Sequence, residues 1–148
     1  MSKKQRRQQS QTGPIVELSE FHPKNEKQRR YLNSMKANII TFGLGVAGTG
    51  KTYCAAHYAA QLLFNNHIDR LIVTRPAQEA GEEELGFLPG DLAEKFAPYL
   101  APIRENLEHA LGKSFVDYLV KIGRIEYIPI GFMRGRSFDN CLIIADEA

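Results

Sequence analysis

Two short segments of this sequence carry residue types arranged for chemistry. The first is Gly45-Val46-Ala47-Gly48-Thr49-Gly50-Lys51-Thr52, which fits the pattern G-x-x-x-x-G-K-[ST]. Glycines at these positions let the backbone curl round a phosphate and turn its N–H groups inward. A lysine directly after them reaches β- and γ-phosphates, and the next hydroxyl is placed to bind Mg²⁺. The second segment is Asp146-Glu147, delivered by the apolar run Leu142-Ile143-Ile144-Ala145. At the carboxyl end of a strand, Asp146 is expected to hold Mg²⁺ through its water shell. Glu147 is expected to orient or deprotonate an attacking water. Because an acid beside Asp146 can activate water, the pair favours hydrolysis over phosphoryl transfer to a small metabolite.

These segments need a strand and a helix around the first and a strand under the second. Asn38–Leu44 is apolar and β-branched, and it reads as a buried strand that the glycines break. Lys51–Phe64 follows as a helix, with Ala55, Ala59, Leu62 and Leu63 at helical spacing. Arg70–Thr74, Arg124–Ile130 and Cys141–Ala145 read as further strands. Asn25 caps an expected helix over Glu26–Lys36. Arg75–Gly90 is loop-like, Asp91 with Glu94 forms a capping-box start, and Pro102 and Gly112 divide the chain to Ile122 into about three helical pieces. Pro14–Leu18 is a candidate edge strand, and Ser2–Gly13 is polar and expected to be disordered. Strands alternating with helical connections predict an α/β fold with a parallel sheet flanked by helices.

A second glycine pattern overlaps the first. Gly43-Leu44-Gly45-Val46-Ala47-Gly48 satisfies the G-x-G-x-x-G dinucleotide fingerprint. That chemistry wants an acid closing the second strand to hold a ribose, whereas this one ends Thr74-Arg75. It also leaves Gly50-Lys51-Thr52 without a role, so the phosphate loop is the better reading.

The 148 residues are 43% hydrophobic and 24% charged, which fits one globular domain and excludes disordered or fibrous classes. The longest stretch without a charged residue, Thr52–Ile68, contains His57, Gln61, Asn65, Asn66 and His67. It is too polar and short for a membrane span. Met1–Arg7 is basic, but no apolar run follows, so no secretory signal is read. Cys54 and Cys141 read as buried thiols of a reducing compartment, and the cytoplasm is the expected location. Residues 1–36 hold nine Lys and Arg against three Glu, while the rest holds ten against fourteen acids. Attraction to nucleic acid is therefore expected of the amino-terminal arm and of local arginine clusters, not of the body. A solubilising tail is the competing reading of that arm. His22, His57, His67 and His109 show no metal-ligand spacing.

With these residues in view, the chain resembles the PhoH family, phosphate-starvation-inducible P-loop ATPases related to superfamily-one helicases. The resemblance covers about Pro23 to Ala148. It rests on GVAGTGKTY from Gly45, TRPAQEAGEEELGFLPGDLAEKFAPYL from Thr74, MRGRSF, and IIADEA near the end. It implies a P-loop NTPase of the additional-strand class, with residues 1–22 as a basic arm and 23–148 as the nucleotide-binding domain. ATP and Mg²⁺ are the implied ligands, Lys51 and Glu147 the catalytic residues, and RNA metabolism the implied setting. Gln28 lies seventeen residues before Gly45, where related helicases place a glutamine that reads adenine. An ordinary exposed helix glutamine is the alternative. Arg75, Arg134 and Arg136 fall at or near strand ends, where they could meet single-stranded nucleic acid or phosphate, or serve as surface or salt-bridge arginines.

Two departures from the family stand out. Val46 replaces a proline frequent in relatives, and the sequence stops directly after the acid pair. Relatives continue into a glutamine-containing segment and a strand that lies between the phosphate-loop strand and the Asp-Glu strand. The domain is therefore expected to be incomplete, to fold poorly alone, and to gain turnover when extended past Ala148. A non-hydrolysing ATP-binding interaction module is the alternative function, and a small-molecule or nucleoside kinase is a third. A GTPase stays open because its guanine motif would lie past residue 148. RNA or other single-stranded nucleic acid and a second copy of the chain are the partners kept open; a membrane is not.

Overall fold

The computed structural model describes residues 17–76 and 97–147. The elements run α1 (Glu26–Ala37), α2 (Lys51–Phe64), β1 (Arg70–Thr74), a 3₁₀ turn (Ala97–Leu100), α3 (Ala101–Leu111), α4 (Lys113–Lys121), β2 (Ile125–Tyr127), a second 3₁₀ turn (Ile130–Met133) and β3 (Cys141–Ala145). The three strands form one parallel sheet in the order β2-β1-β3. The protein is thus α/β, with a small parallel sheet flanked by helices. The expectations for Ser2–Gly13, for 14–16 of the Pro14–Leu18 strand, for the loop beyond Pro76 and for the Asp91–Glu94 capping box lie outside the described residues.

Central β1 is buried on both faces, with Leu71, Ile72 and Val73 all fully enclosed, as a parallel strand with two neighbours must be. Helix α2 reaches the core through Ala56, Ala59, Ala60 and Leu63. Alanines both favour the helix and let α3 approach closely with Ile103, Leu107 and Leu111. Asn66, in the left-handed region at φ 54°, ends α2. The Arg124 guanidinium then staples the following turn, donating to the carbonyls of Ile68 (2.9 Å) and Asp69 (3.0 Å) and to Asn66 Oδ1 (3.1 Å). Asn25 caps α1 as expected, its Oδ1 accepting from the Gln28 N–H at 2.9 Å.

Two expectations are corrected here. Asn38–Leu44 is not a buried strand: it is unpaired among the described residues, and Ile39, Ile40, Phe42 and Leu44 are exposed. It lies outside the sheet β2-β1-β3, and an apolar β-branched run becomes a buried strand only where a neighbour receives its ladder. The strand expected over Arg124–Ile130 is shorter, Ile125–Tyr127, because Pro129 has no N–H to extend it. Packing also reaches amino-terminal to Pro23. Phe21 is buried, and the Ser19 N–H donates to the Ala110 carbonyl at 3.0 Å. Among the described residues no helix is long and apolar enough to cross a membrane.

Phe21 belongs to an aromatic group around His57, a buried side chain on α2. His57 stacks on Phe21 with ring centroids 5.3 Å apart, and it meets Tyr53 at 4.3 Å and His109 at 5.5 Å. Its Nε2 has no hydrogen-bond partner among the described residues. Burial, and secondarily the nearby His109, push the His57 pKa below the ordinary histidine value. The folded state therefore prefers the neutral ring. Below about pH 6.5 the unfolded chain takes up the proton first. This contribution to stability is therefore complete above that pH and lost as pH falls through the folded value. We expect the melting temperature of wild type to drop relative to that of His57→Phe between pH 7 and 5. Parallel pH profiles would contradict this.

Candidate functional site

The glycine loop is folded around its own lysine. Lys51 Nζ donates to the carbonyls of Gly45 and Val46, both at 2.9 Å, and lies 3.4 Å from Thr49 Oγ1. Thr49 Oγ1 in turn donates to the Val46 carbonyl at 3.0 Å. Gly48 and Gly50 take φ values of 81° and 86°, a region open to glycine at no steric cost. Gly50 is the N-cap of α2, and no acid stands in that helix's first turn. The partial positive charge at the helix start is therefore met by no acid of the helix's own first turn.

Helix α1 grips this loop from both ends. Gln28 is buried, not an exposed helix glutamine: its Oε1 accepts from the Lys24 N–H at 2.8 Å, and its Nε2 donates to the Thr49 carbonyl at 3.2 Å. Three residues on, Tyr31 fits against Gly43, where an added Cβ would stand 2.8 Å from the phenol oxygen. Burial first, then Cys54 and Asp146, raise the Tyr31 pKa. The sequence places Tyr31 on the apolar side of this helix and not in the site, although its i, i+3 spacing from Gln28 puts both on one face of α1.

The acid pair arrives on β3. Thr74 faces Ala145 in the ladder, and the Asp146 N–H continues it by donating to the Thr74 carbonyl at 3.0 Å. Thr52 Oγ1 donates to Asp146 Oδ1 at 3.3 Å, so the hydroxyl and the carboxylate meet although Asn38–Leu44 is unpaired. Among the described residues no cluster of three or more His, Cys, Asp or Glu could hold a metal. A hydroxyl and one carboxylate, both hard oxygen donors, nonetheless suit Mg²⁺, which keeps several waters and takes nucleotide oxygens as well. Glu147 sits in the left-handed region at φ 52° and forms an ion pair with Arg75.

The arginines divide. Arg75 stands beside the acid pair. Arg134 is exposed just past the 3₁₀ turn that follows β2. Arg136 is drawn back along the sheet, pairing with Glu126 at 3.0 Å and lying over Phe138 at 5.1 Å. Val46 and Ala47 are exposed and supply loop backbone.

A glycine loop closed by a lysine at a helix start, and a Thr–Asp contact across to a neighbouring parallel strand, define an α/β domain of the P-loop NTPase-like class. The family model described as PhoH-like protein matches residues 20–148, and the chain belongs to that family. It is 45% identical over 139 residues to the "Protein PhoH" of Escherichia coli K12, covering 93% of this chain and 37% of that protein. It is 51% identical over 121 residues to a Bacillus subtilis "PhoH-like protein", covering 82% and 38%. A Synechocystis "PhoH-like protein" is 46% identical over 136 residues, covering 92% and 40%. The chain thus spans well under half the length of these relatives.

Gly50 gives a direct test of the α1 grip. A Cβ there would stand 2.6 Å from Gln28 Nε2 and would sit at an unfavourable φ. Gly50→Ala is expected to cost about 1–3 kcal/mol. In a Gln28→Ala background the penalty shrinks, because the clash goes and only the φ strain is left. Urea unfolding of the four proteins measures this. An equal penalty in both backgrounds would show that Gln28 does not contact the loop.

Proposed function

We propose that this chain binds ATP with Mg²⁺ through Gly45–Thr52 and hydrolyses it, in the service of RNA or other single-stranded nucleic-acid metabolism. The observation that carries this reading is the Thr52–Asp146 contact beside a lysine-closed glycine loop. Loop N–H groups and Lys51 would bind the β- and γ-phosphates, Lys51 exchanging its carbonyl partners for charged oxygens. Thr52 and Asp146 would hold Mg²⁺, which when bound neutralises phosphate charge. Water attacks the γ-phosphorus while the bond to the β–γ bridging oxygen breaks, and that electron pair stays on ADP. Glu147 takes the water's proton. The free thiols Cys54 and Cys141 fit a cytoplasmic setting.

A non-hydrolysing ATP-binding module is supported by one observation, the engagement of Glu147 by Arg75. Two variants separate the readings. Lys51→Ala is expected to abolish ATP binding in calorimetry. Glu147→Gln is expected to keep it and to slow hydrolysis by about 10²–10⁴, the usual worth of a positioned base. Equal loss of affinity in both would overturn these roles, and ATP binding by wild type without turnover would favour the module.

Adenine selectivity is the second expectation. Beyond its bonds to Lys24 and Thr49, the Gln28 carboxamide keeps one amide hydrogen and one lone pair, which could meet the N6/N7 edge of adenine at once, a pattern guanine does not reciprocate. Unlabelled GTP should displace labelled ATP less well than ATP does, and Gln28→Ala should narrow the gap. Equal displacement by both would remove Gln28 from the site.

A further inference from the structure

Residues 18–24 run as a strap from α3 across α2 to α1. Leu18 packs against the main core. The Ser19 N–H and Oγ donate to the Ala110 and His109 carbonyls, at 3.0 and 3.2 Å, two acceptors that the last turn of α3 leaves without helical partners. Phe21 is buried two residues on, stacked on His57 and edge-on to Tyr53 with ring centroids 5.5 Å apart. Pro23 fixes its own φ and restricts His22, so little freedom is left between the Phe21 ring and the backbone of Lys24. Lys24 then makes two contacts. Its N–H donates to Gln28 Oε1 at 2.8 Å, and its ammonium lies over the Tyr53 ring, 5.4 Å from the centroid.

The Lys24 N–H governs how the Gln28 carboxamide is held. A backbone N–H can only donate and a backbone carbonyl can only accept, so oxygen belongs on the Lys24 side and nitrogen on the Thr49 side. Turned end for end, the group would set N–H against N–H and oxygen against oxygen. Held at Thr49 alone, it would pivot about one hydrogen bond; held at both ends, it cannot turn. Asn25 does not supply the second hold, because its side chain engages only the backbone N–H of Gln28. The remaining amide hydrogen and lone pair therefore stand in one fixed order beside the glycine loop. Adenine and guanine differ in that order, since N6 donates where O6 accepts.

From this geometry we infer that residues 18–24 are a specificity strap: Phe21, acting through Lys24, sets the order in which Gln28 presents donor and acceptor to a base. Phe21 is thus a positioning residue. The inference rests on the reading of Gln28 as the adenine contact for its consequence in binding, but not for the hold on the carboxamide.

Two measurements test this on the full chain. The first needs no ligand. In NMR spectra of glutamine side-chain amides, the Gln28 pair, assigned by its loss in Gln28→Ala, should stand apart from free glutamine in wild type and move toward it in Phe21→Ala. Phe21→Leu keeps the apolar volume without the ring stack, and it should shift the pair the same way if Phe21→Ala does not fold. Unmoved Gln28 signals in a folded Phe21 variant would overturn the inference. The second is displacement of labelled ATP by ATP, GTP and inorganic tripolyphosphate. The same Phe21 variant should lower the preference for ATP over GTP by about fivefold or more, to the level of Gln28→Ala, with the double variant no lower. Its tripolyphosphate affinity should stay within twofold of wild type. Parallel loss for all three competitors would mean that Phe21 only supports the fold, and an undiminished preference would mean that the strap does not act on Gln28; either overturns the inference. Equal displacement by ATP and GTP in wild type would defeat the adenine reading alone, and the amide spectra would still decide whether the strap holds Gln28.

Discussion

Thr74 stands opposite Ala145 in a parallel ladder, and the Asp146 N–H extends that ladder one residue past β3 to the Thr74 carbonyl. The rest of the ligand edge depends on this register. Successive strand residues point to opposite faces, so a slip of one residue would exchange the places of Asp146 and Glu147. Asp146 would leave Thr52, and Arg75 would lose its acid. The register is held by what lies beneath it. Leu71, Ile72 and Val73 of β1 are fully enclosed, and a slipped strand would have to present different side chains to both faces of that core.

The glycine loop meets this edge as a structure already folded around a cation. Lys51 is satisfied by two neutral loop carbonyls and a hydroxyl. On the proposed ATP-binding reading a phosphate would replace these with charged oxygens, and charge-assisted hydrogen bonds are roughly twice as strong as neutral ones. On that reading the loop would exchange partners rather than order itself. The start of α2 adds its partial positive charge with no acid in its own first turn, and Asp146 reaches it from β3.

How much of this could be read in the sequence depended on how local each feature is. The loop, Lys51, Thr52 and the acid pair were legible because their spacing is short and each residue type has a reason to be there. The α1 cap at Asn25 and the α2 helix were legible on the same ground. Asn38–Leu44 misled because composition reports what a segment can bury, whereas burial is decided by whether a neighbour is there to pair with it. The Arg75–Glu147 pair was invisible for a related reason: it joins residues 72 apart through a strand register that no local pattern encodes. Gln28 was visible only as a position at a suggestive distance from Gly45. That its carboxamide bonds to the Thr49 carbonyl follows from how α1 packs on α2, through Leu32 and Cys54.

That packing explains how the loop keeps its place. A phosphate loop is ordinarily steadied by the strand that enters it and the helix that leaves it. Here the entering segment contributes little, since Ile39, Ile40, Phe42 and Leu44 face solvent. The burden shifts to α2 on the far side and to α1 across the top. Tyr31 stops the chain at Gly43, and Gln28 holds it at Thr49, so one helical turn spans both ends of the curled backbone. Only glycine at 43 and 50 permits this, because a Cβ at either place would fall within 3 Å of the gripping side chain. Gly50 thus serves two constraints at once, the left-handed turn into α2 and the close approach of α1. Gln28 and Tyr31 are thus the two contacts by which α1 holds the glycine loop.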